Sequence, residues 1–320
     1  MVQTIGLNEL FAQIFQIGFF TALIRIATPL IFGTIGELFA ERAGILNLGI
    51  EGIMMLAAMA GFSTAFFSGS LWLGVLAAVL TGMLAGLLMA VLTVSLGLSQ
   101  HVSGIGTTLL CSGLSFFFYR LIFGQPSSIP KINAFETVPL PFLSSLPVIG
   151  PIFFNQFALV YLAMAIVPAS AFILYHTPWG LNLRTVGENP LAAHAAGVSV
   201  HITRYQALLI SGALMGLAGA FLSMAQYNAY TFGVISGRGW VCIALIVFGQ
   251  WSPWKSAAGA LLFAFIDALQ LRLQAGSLID LPYQVFLMMP FLLTIAGMAM
   301  VSRNARAPAA LLKPFRKEER

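Results

Sequence analysis

The sequence predicts an all-α membrane protein, folded as a polytopic bundle of transmembrane helices. Of its 320 residues 59% are apolar and only 8% are charged, and the mean hydropathy is +0.94. A soluble domain carries roughly 25% charged residues, so this chain lacks the polar side chains that a water-exposed surface needs. Apolar runs of about 18 residues or more, long enough to cross a bilayer as helices, recur along the chain. A membrane β-barrel would show short segments of alternating polarity instead.

About nine apolar segments are predicted to cross the membrane, within a range of eight to ten. The range arises because the stretch ERAGILNLGIEG, residues 41–52, reads either as a short loop or as the break in a discontinuous helix. Nine spans place the N-terminus outside, and one more span in the first 60 residues would place it inside. The predicted spans are residues 15–39, 46–67, 71–92, 104–123, 156–175, 205–226, 234–247, 255–273 and 283–300.

The basic residues predict which ends of the bundle face the cytoplasm. Residues 1–302 form the predicted membrane domain, and residues 303–320 form a basic tail. Because Lys and Arg accumulate on the cytoplasmic side of membrane proteins, this tail and the polar loop 176–204 are predicted to be cytoplasmic. The proline-rich segment 124–155 is then an external loop, with room for a short surface helix. The basic residues of the tail are Arg303, Arg306, Lys313, Arg316, Lys317 and Arg320.

Two features predict how the helices are arranged. The segments WLGVLAAVLTGMLAGLL, from Trp72, and WKSAAGALLFAFIDAL, from Trp254, both begin with tryptophan and are rich in small residues. An odd number of spans between them would make the two halves an inverted repeat, which is common in transporters. Glycines four residues apart let membrane helices approach closely. They occur as the pairs Gly82 and Gly86, and Gly212 and Gly216.

The polar loop 176–204 contains a second kind of helix signal. Asn189 followed by Pro190 gives an N-cap and a proline at the first helical position. The run LAAHAAGV follows and ends at Gly197, so the helix is too short to span and should lie along the membrane surface. A small helix with alanine faces can fit a groove on another protein, although a solvated, alanine-rich connector has the same composition.

The sequence around this loop is similar to that of a known family. The segments RTVGENPLAAHAAGVSV and SGALMGLAGA resemble the ATPase-coupling loop of ABC importer permeases, in the branch that serves simple sugars, nucleosides and branched-chain amino acids. The segments GELFAERAGILNLGIEGIMMLAAMAGF and SGRGWVCIALIVFGQWSP extend the resemblance over residues 31–300. Within that branch the chain is most similar to the shorter of two permeases that are paired in nucleoside uptake systems.

The resemblance implies a site that contacts an ATPase. The segment Gly187–Gly197 would dock into a cleft on a cytoplasmic ABC ATPase, with Arg184 and Glu188 at the edges of the contact. Ala192, Ala193 and Ala196 would form its packing face, and Asn189 and Pro190 would start its helix. The ATPase-coupling residues are therefore Arg184, Gly187, Glu188, Asn189, Pro190, Ala192, Ala193, Ala196 and Gly197.

The same resemblance implies the partners and the location. The chain would pair with a second permease subunit, as a heterodimer, and receive solute from an extracytoplasmic substrate-binding protein. It would be a multi-pass protein of a prokaryotic plasma (inner) membrane, surrounded by lipid, with a cytoplasmic C-terminus. Nothing in the charge pattern calls for nucleic acid.

The chain lacks the residues of an ATPase site. A phosphate-binding loop needs the pattern G-x-x-x-x-G-K-[ST], and the nearest segment, GQWSPWKS, has Trp254 in place of the second glycine. No nucleophile set or metal-ligand spacing stands out. The sequence therefore predicts a transport subunit that is not an enzyme, binds no cofactor or metal itself, and depends on ATP-Mg used by the partner ATPase.

Polar residues inside apolar segments mark a possible solute pathway. A charge at the middle of the bilayer costs roughly 2.5–3.5 kcal/mol on insertion scales, so such residues are kept for pairing or for a pathway. Pairing between helices is at least as good an explanation as substrate contact for each of them. The candidates are Glu37, Asn47, Glu51, Arg238 and Asp267.

Two other classes of protein compete with the ABC permease. An ion-gradient-driven secondary transporter of a small polar solute would explain inverted halves and Asp267, but gives no reason for an alanine-faced helix in a loop. An integral-membrane enzyme is disfavoured, because no nucleophile or metal set converges. The cargo that the resemblance implies is a nucleoside, with a simple sugar second.

Overall fold

The computed structural model describes residues 16–126, 128–275 and 306–315, and scattered residues between 284 and 299. Within these ranges, seven helices are long and apolar enough to cross a membrane. Short π-helical turns extend the helix that begins at Leu71 to Ser95 and the helix that begins at Val200 to Gln226. The helices are α1 (Ile17–Arg42), α2 (Ile50–Ser68), α3 (Leu71–Ala90), α4 (Gln100–Phe123), α5 (Ile149–Phe153), α6 (Ala158–His176), α7 (Pro178–Glu188), α8 (Pro190–Ala195), α9 (Val200–Ala220), α10 (Arg238–Phe248) and α11 (Pro253–Ala275).

The predicted helical membrane bundle is confirmed. Seven predicted spans correspond to the long helices α1, α2, α3, α4, α6, α9 and α11. The predicted span 234–247 is α10, which has 11 residues and at 1.5 Å per residue is too short to cross a hydrocarbon core of about 30 Å. The ninth predicted span, 283–300, lies largely outside the described residues.

The helices run between two ends of the bundle. The sheet end holds the start of α1 and a small antiparallel sheet of β1 (Thr137–Pro139) and β2 (Asn155–Phe157), in which Thr137 pairs with Phe157. The α8 end holds the short helix α8 and the end of α1. Segment 124–155 was predicted as a loop with room for one short helix, and it contains α5 and most of this sheet.

Close glycine contacts join the central helices, as the glycine spacing predicted. A Cβ added to Gly212 of α9 would lie 2.2 Å from the carbonyl oxygen of Gly82 on α3, and one added to Gly86 would lie 2.4 Å from that of Leu208. α9 is also the most buried of the described spans, since 83% of an 18-residue apolar stretch of it is buried inside the bundle, against 17% for α4. The core of the bundle is therefore built around α9.

The two segments that suggested an internal repeat run in opposite directions. α3 begins at the sheet end, where Trp72 contacts Phe135 at 5.7 Å between ring centroids. α11 begins at the α8 end, just after Trp251, whose carbonyl oxygen accepts hydrogen bonds from Arg42. Opposite directions are what an inverted repeat requires.

Candidate functional site

Between α1 and α2 the backbone is irregular, and the structure shows this region to be a short loop that joins two separate candidate spans. α1 ends at Arg42, residues 43–49 form the break loop, and α2 begins at Ile50. Polar backbone groups inside a membrane must be satisfied by the protein itself. Gln100 accepts a hydrogen bond from the Leu46 N–H at 2.8 Å and donates to the Gly44 carbonyl at 3.2 Å, while Thr108 donates to the Leu48 carbonyl at 2.8 Å. Side chains of α4 therefore hold the break loop in place.

Two predicted pathway residues also hold the break loop. The Glu37 carboxylate accepts a hydrogen bond from the Asn47 N–H at 2.7 Å, and the Asn47 side-chain oxygen accepts one from the Gly49 N–H at 2.9 Å. Both side chains are fully buried. One turn further along α1, Glu41 accepts a hydrogen bond of 2.5 Å from the Trp251 indole N–H. In this conformation Glu37 and Asn47 bind each other and are buried, so neither side chain is exposed to a solute.

Glu51 joins α2 to the start of α10. Its two carboxylate oxygens accept hydrogen bonds from the Gly237 and Gly239 N–H groups, both at 2.8 Å. These N–H groups belong to the N-terminus of α10, which carries a partial positive charge and favours an anion. A Cβ on Gly239 would lie 2.7 Å from the Glu51 Cα. The N-termini of α2 and α10 thus meet directly, and we call this contact the half-helix junction.

The half-helix junction lies well inside the bundle. A Cβ on Gly33 of α1 would lie 2.7 Å from the Cys242 sulfur of α10, and Gly33 is about 13 Å from the end of α1 at 1.5 Å per residue. Arg238 lies one turn deeper than Cys242. α10 is too short to span a bilayer, and the N-termini of such short or interrupted helices are typical of the substrate sites of transporters.

Arg238 and Asp267 form an ion pair next to the half-helix junction. A guanidinium nitrogen of Arg238 lies 3.9 Å from a carboxylate oxygen of Asp267, and both side chains keep a small exposed fraction, 16% and 19%. The same guanidinium donates to the Tyr227 hydroxyl at 3.4 Å. Of the five predicted pathway residues, Arg238 and Asp267 keep part of their polar surface exposed, and Glu51 is partly exposed beside them.

The polar loop 176–204, which includes the predicted coupling segment Gly187–Gly197, contains two short helices at the α8 end. Thr177 caps α7 by accepting a hydrogen bond from the Gly180 N–H at 3.1 Å, and Asn189 caps α8 by accepting one from the Ala192 N–H at 3.0 Å. The predicted N-cap at Asn189 and the proline after it are confirmed, whereas α7 was not predicted. Gly197 follows α8 with a φ of +85°, a conformation that favours glycine.

The structure separates the predicted packing face of α8 into exposed and buried residues. Ala192 and Ala196 are exposed, but Ala193 is fully buried and packs with Val186 and Val200. Ala193 therefore stabilises the contact between α8 and its own chain, and exposed Leu191 completes the outer surface of α8.

The remaining coupling residues differ in their exposure. The Arg184 guanidinium lies over the Tyr175 ring, 5.2 Å from its centroid. Glu188 and Asn189 are exposed and Pro190 is partly exposed. Gly187 is buried, and a Cβ there would lie 2.0 Å from the Arg42 carbonyl oxygen. The outward part of this site is therefore Glu188, Asn189, Leu191, Ala192, Ala196 and Gly197.

Several residues that hold these sites were missed by the sequence reasoning. Gln100, Thr108 and Trp251 bind the break loop or its flanking acid, and Arg204, which is 1% exposed, donates to the Ala43 carbonyl at 3.2 Å. The signal that the sequence offered for Arg204 was an arginine immediately before a long apolar run. Gln100, Thr108 and Trp251 have no sequence signal, because each acts on a segment that is distant in the chain.

A helical membrane bundle with a short helix ending inside it and a partly exposed ion pair is typical of membrane transport proteins. Residues 19–299 match the family model described as "Branched-chain amino acid transport system / permease component". The chain belongs to this family and is a permease subunit of an ABC importer, which moves solute and is not itself an enzyme. Membership decides against an ion-gradient-driven transporter.

Three relatives match nearly the whole chain. The putative glucose ABC transporter permease protein TsgC13 of Haloferax volcanii is 37% identical, covering 95% of this chain and 99% of its own. The guanosine ABC transporter permease protein NupQ of Bacillus subtilis is 35% identical, covering 93% and 96%. The nucleoside ABC transporter permease protein NupC of Lactococcus lactis subsp. cremoris is 36% identical, covering 89% and 92%. No solved structure matches the chain.

Family membership implies the general set of partners. An ABC permease works with an ATPase and a solute-binding protein, and the permease itself is a multi-pass membrane protein. Bacillus subtilis also has a second guanosine permease protein, NupP, which is 25% identical over 84% of this chain and 78% of its own.

Proposed function

We propose that this permease carries a nucleoside, with a simple sugar as the second choice. The relatives named for guanosine, nucleosides and glucose differ by only two percentage points of identity, so identity does not choose between them. The observation that carries the proposal is the partly exposed Arg238–Asp267 pair at the half-helix junction. It offers a donor and an acceptor for a nucleobase edge, and exposed Tyr227 beside it offers an aromatic face on which a base can stack. A sugar would use the donor and acceptor alone.

The pathway is proposed to lie between this chain and a second, different permease subunit. NupQ and NupP are two guanosine permease proteins of one organism, and both match this chain. A heterodimer of paired permeases is the arrangement that this observation supports. The substrate would be delivered by an extracytoplasmic binding protein at the sheet end.

The α8 end is proposed to face the cytoplasm of a prokaryotic cell. Arg42, Arg184, Arg204 and Lys313 all lie at this end, as the preference of basic residues for the cytoplasmic side predicts. In this orientation residues 176–204 are the cytoplasmic coupling loop, residues 124–155 the external loop, and the C-terminus is cytoplasmic. The ATPase would dock on α7 and α8 and use ATP-Mg, and this chain would bind no cofactor.

The choice of substrate can be tested on the binding protein encoded beside this permease. Isothermal calorimetry with guanosine, adenosine, cytidine, glucose, ribose and galactose is expected to show tight binding of at least one nucleoside. Sugars are expected to bind at least 100-fold more weakly. Tight binding of a sugar without any response to nucleosides would overturn the nucleoside proposal and favour the sugar.

The docking site can be tested by adding bulk to the exposed face of α8. We expect Ala192→Trp and Ala196→Trp to reduce uptake and ATP hydrolysis stimulated by the loaded binding protein at least tenfold, because a tryptophan there would keep the ATPase cleft from closing on α8. Both substitutions should leave thermal unfolding unchanged, since neither side chain is buried. Ala192→Ser and Ala196→Ser, which add only a hydroxyl at the same exposed positions, are the controls. Normal uptake by both α8 variants would contradict the assignment.

A further inference from the structure

The C-terminal segment 306–315, predicted as part of a basic tail, packs against the coupling helices. The Ala310 N–H donates a hydrogen bond of 2.9 Å to the Gly187 carbonyl at the end of α7. The neighbouring Ala309 N–H donates to the Glu188 carboxylate at 3.3 Å. Ala310 is 3% exposed. The segment is therefore joined by its backbone to the residues at which α7 passes into α8.

Arg204 connects the same segment to the break loop. Its side chain is 1% exposed and donates from Nε to the Ala43 carbonyl at 3.2 Å. Both of its terminal nitrogens lie 3.4 Å from the Lys313 carbonyl oxygen. A buried guanidinium is costly unless its donors are satisfied. These acceptors come from two distant segments of the chain, so Arg204 holds them together.

Glycines allow the three segments to meet. Gly44, in the break loop, has a φ of +85°, and a Cβ there would lie 3.1 Å from the Ala310 carbonyl oxygen and 3.2 Å from Arg204 Nη2. A Cβ on Gly187 would lie 2.0 Å from the Arg42 carbonyl oxygen. A larger residue at position 187 would push α7 away from the end of α1, so these glycines are required by the contact.

Phe315 holds the inner side of α8. Its ring lies 5.8 Å between centroids from His194 of α8 and 5.8 Å from His201 of α9, with interplanar angles of 66° and 68°. It also packs on the small cluster of buried residues that seats α8 on the chain. That cluster is Val186, Ala193 and Val200.

We propose that segment 306–315 is a strap that makes α7, α8 and the break loop move as one body. A displacement that the ATPase imposes on α8 would pass through Gly187 and Ala310 to Lys313, then through Arg204 to Ala43. From there it reaches Asn47, which lies in the break loop just before α2 and whose N–H is bound to Glu37 of α1. This inference rests on the proposed docking of the ATPase on α7 and α8, and it assigns to the C-terminal segment a role in transmission rather than in docking.

The test compares four variants in the complete importer, with its ATPase, second permease and binding protein. The first is a chain that ends after residue 305, and its control is a chain that ends after Phe315. The second is Phe315→Ala, and its control is Leu312→Ala, an exposed residue of the same segment. The probe is the nucleoside or sugar that gives the strongest calorimetric response with the binding protein.

For the chain ending at 305 and for Phe315→Ala we expect the ATPase to co-purify as with the wild type, with basal hydrolysis within twofold. Hydrolysis stimulated by the loaded binding protein and uptake should fall at least tenfold for the shortened chain and at least threefold for Phe315→Ala. Both controls should behave as the wild type. If the segment only stabilised the fold, its loss would reduce co-purification of the ATPase as well. Normal co-purification together with reduced stimulation therefore supports a role in transmission.

Three results would overturn the strap. One is wild-type stimulation and uptake in both test variants. Another is loss of co-purification in either test variant, including Phe315→Ala, which would make the segment part of the dock. A third is an equal loss in the chain ending after Phe315. If Ala192→Trp and Ala196→Trp are also without effect, the proposed docking site itself fails, which is a different result from failure of the strap alone.

Discussion

Gly212→Leu is expected to prevent assembly of a folded permease, and Gly212→Ala to destabilise it strongly. A Cβ at position 212 would lie 2.2 Å from the Gly82 carbonyl oxygen, and one at position 82 would lie 2.1 Å from that of Gly212. The backbones of α3 and α9 would have to separate along the most buried helix of the bundle. Overpacking of this kind costs about 1–3 kcal/mol for one methyl group, and more for a larger side chain. The measurement is thermal unfolding and yield of the detergent-purified protein.

Gly106→Ala supplies the matched control for this prediction. Gly106 is also a helical glycine inside a candidate span, but a Cβ there would meet nothing within 4 Å. Since alanine is favoured over glycine in a helix by about 1 kcal/mol, this variant should unfold at the same temperature as the wild type or higher. Equal unfolding temperatures for Gly212→Ala and Gly106→Ala would show that α3 and α9 do not cross at these glycines.

Glu51→Ala is expected to reduce uptake strongly and to lower stability. The substitution leaves the Gly237 and Gly239 N–H groups without their acceptors, which are two charge-assisted hydrogen bonds of 2.8 Å. Each such bond contributes about 1.5–3 kcal/mol, so the half-helix junction would open. Uptake should fall at least tenfold, and the unfolding temperature should drop, even though the coupling helices at the α8 end are untouched.

Two further variants make the Glu51 prediction specific. Glu51→Gln keeps one acceptor oxygen but points an amide NH2 at a backbone donor, so it should show an intermediate loss. Glu136→Gln removes a carboxylate on the exposed loop at the sheet end and should change stability by less than about 0.5 kcal/mol. Full activity and stability of Glu51→Gln would mean that the carboxylate does not hold α10.

The membrane helices of this protein could be predicted from the sequence, because a helix that crosses lipid needs a continuous run of about 20 apolar residues. The predicted start of α3 at residue 71 and the predicted end of α4 at residue 123 agree with the structure. The Asn189–Pro190 helix start was also right, since an N-cap acts within three residues of itself. The glycine pairs correctly predicted close helix contacts, because a missing side chain can be read from the sequence without knowing which helix packs against it.

Contacts between distant segments could not be predicted in this way. Ala192 and Ala193 look alike in the sequence, yet one is exposed and the other is fully buried. α7 was missed because its polar residues read as loop, while its stability comes from packing on α1 and α9. The stretch at residues 124–155 gave no sign of the two-strand sheet, whose strands are three residues long.

The sequence by itself determined that the protein lies in a membrane, that it is all-α, where most spans lie and which family it belongs to. Each of these depends on composition or on motifs within short stretches of the chain. Only the tertiary structure decided what the polar residues of the stretch 41–52 do. Glu41 binds Trp251, Asn47 binds Glu37, and Glu51 holds the start of α10. The physical reason is that a polar group inside a membrane needs a protein partner, and that partner can lie anywhere along the chain, here up to 210 residues away.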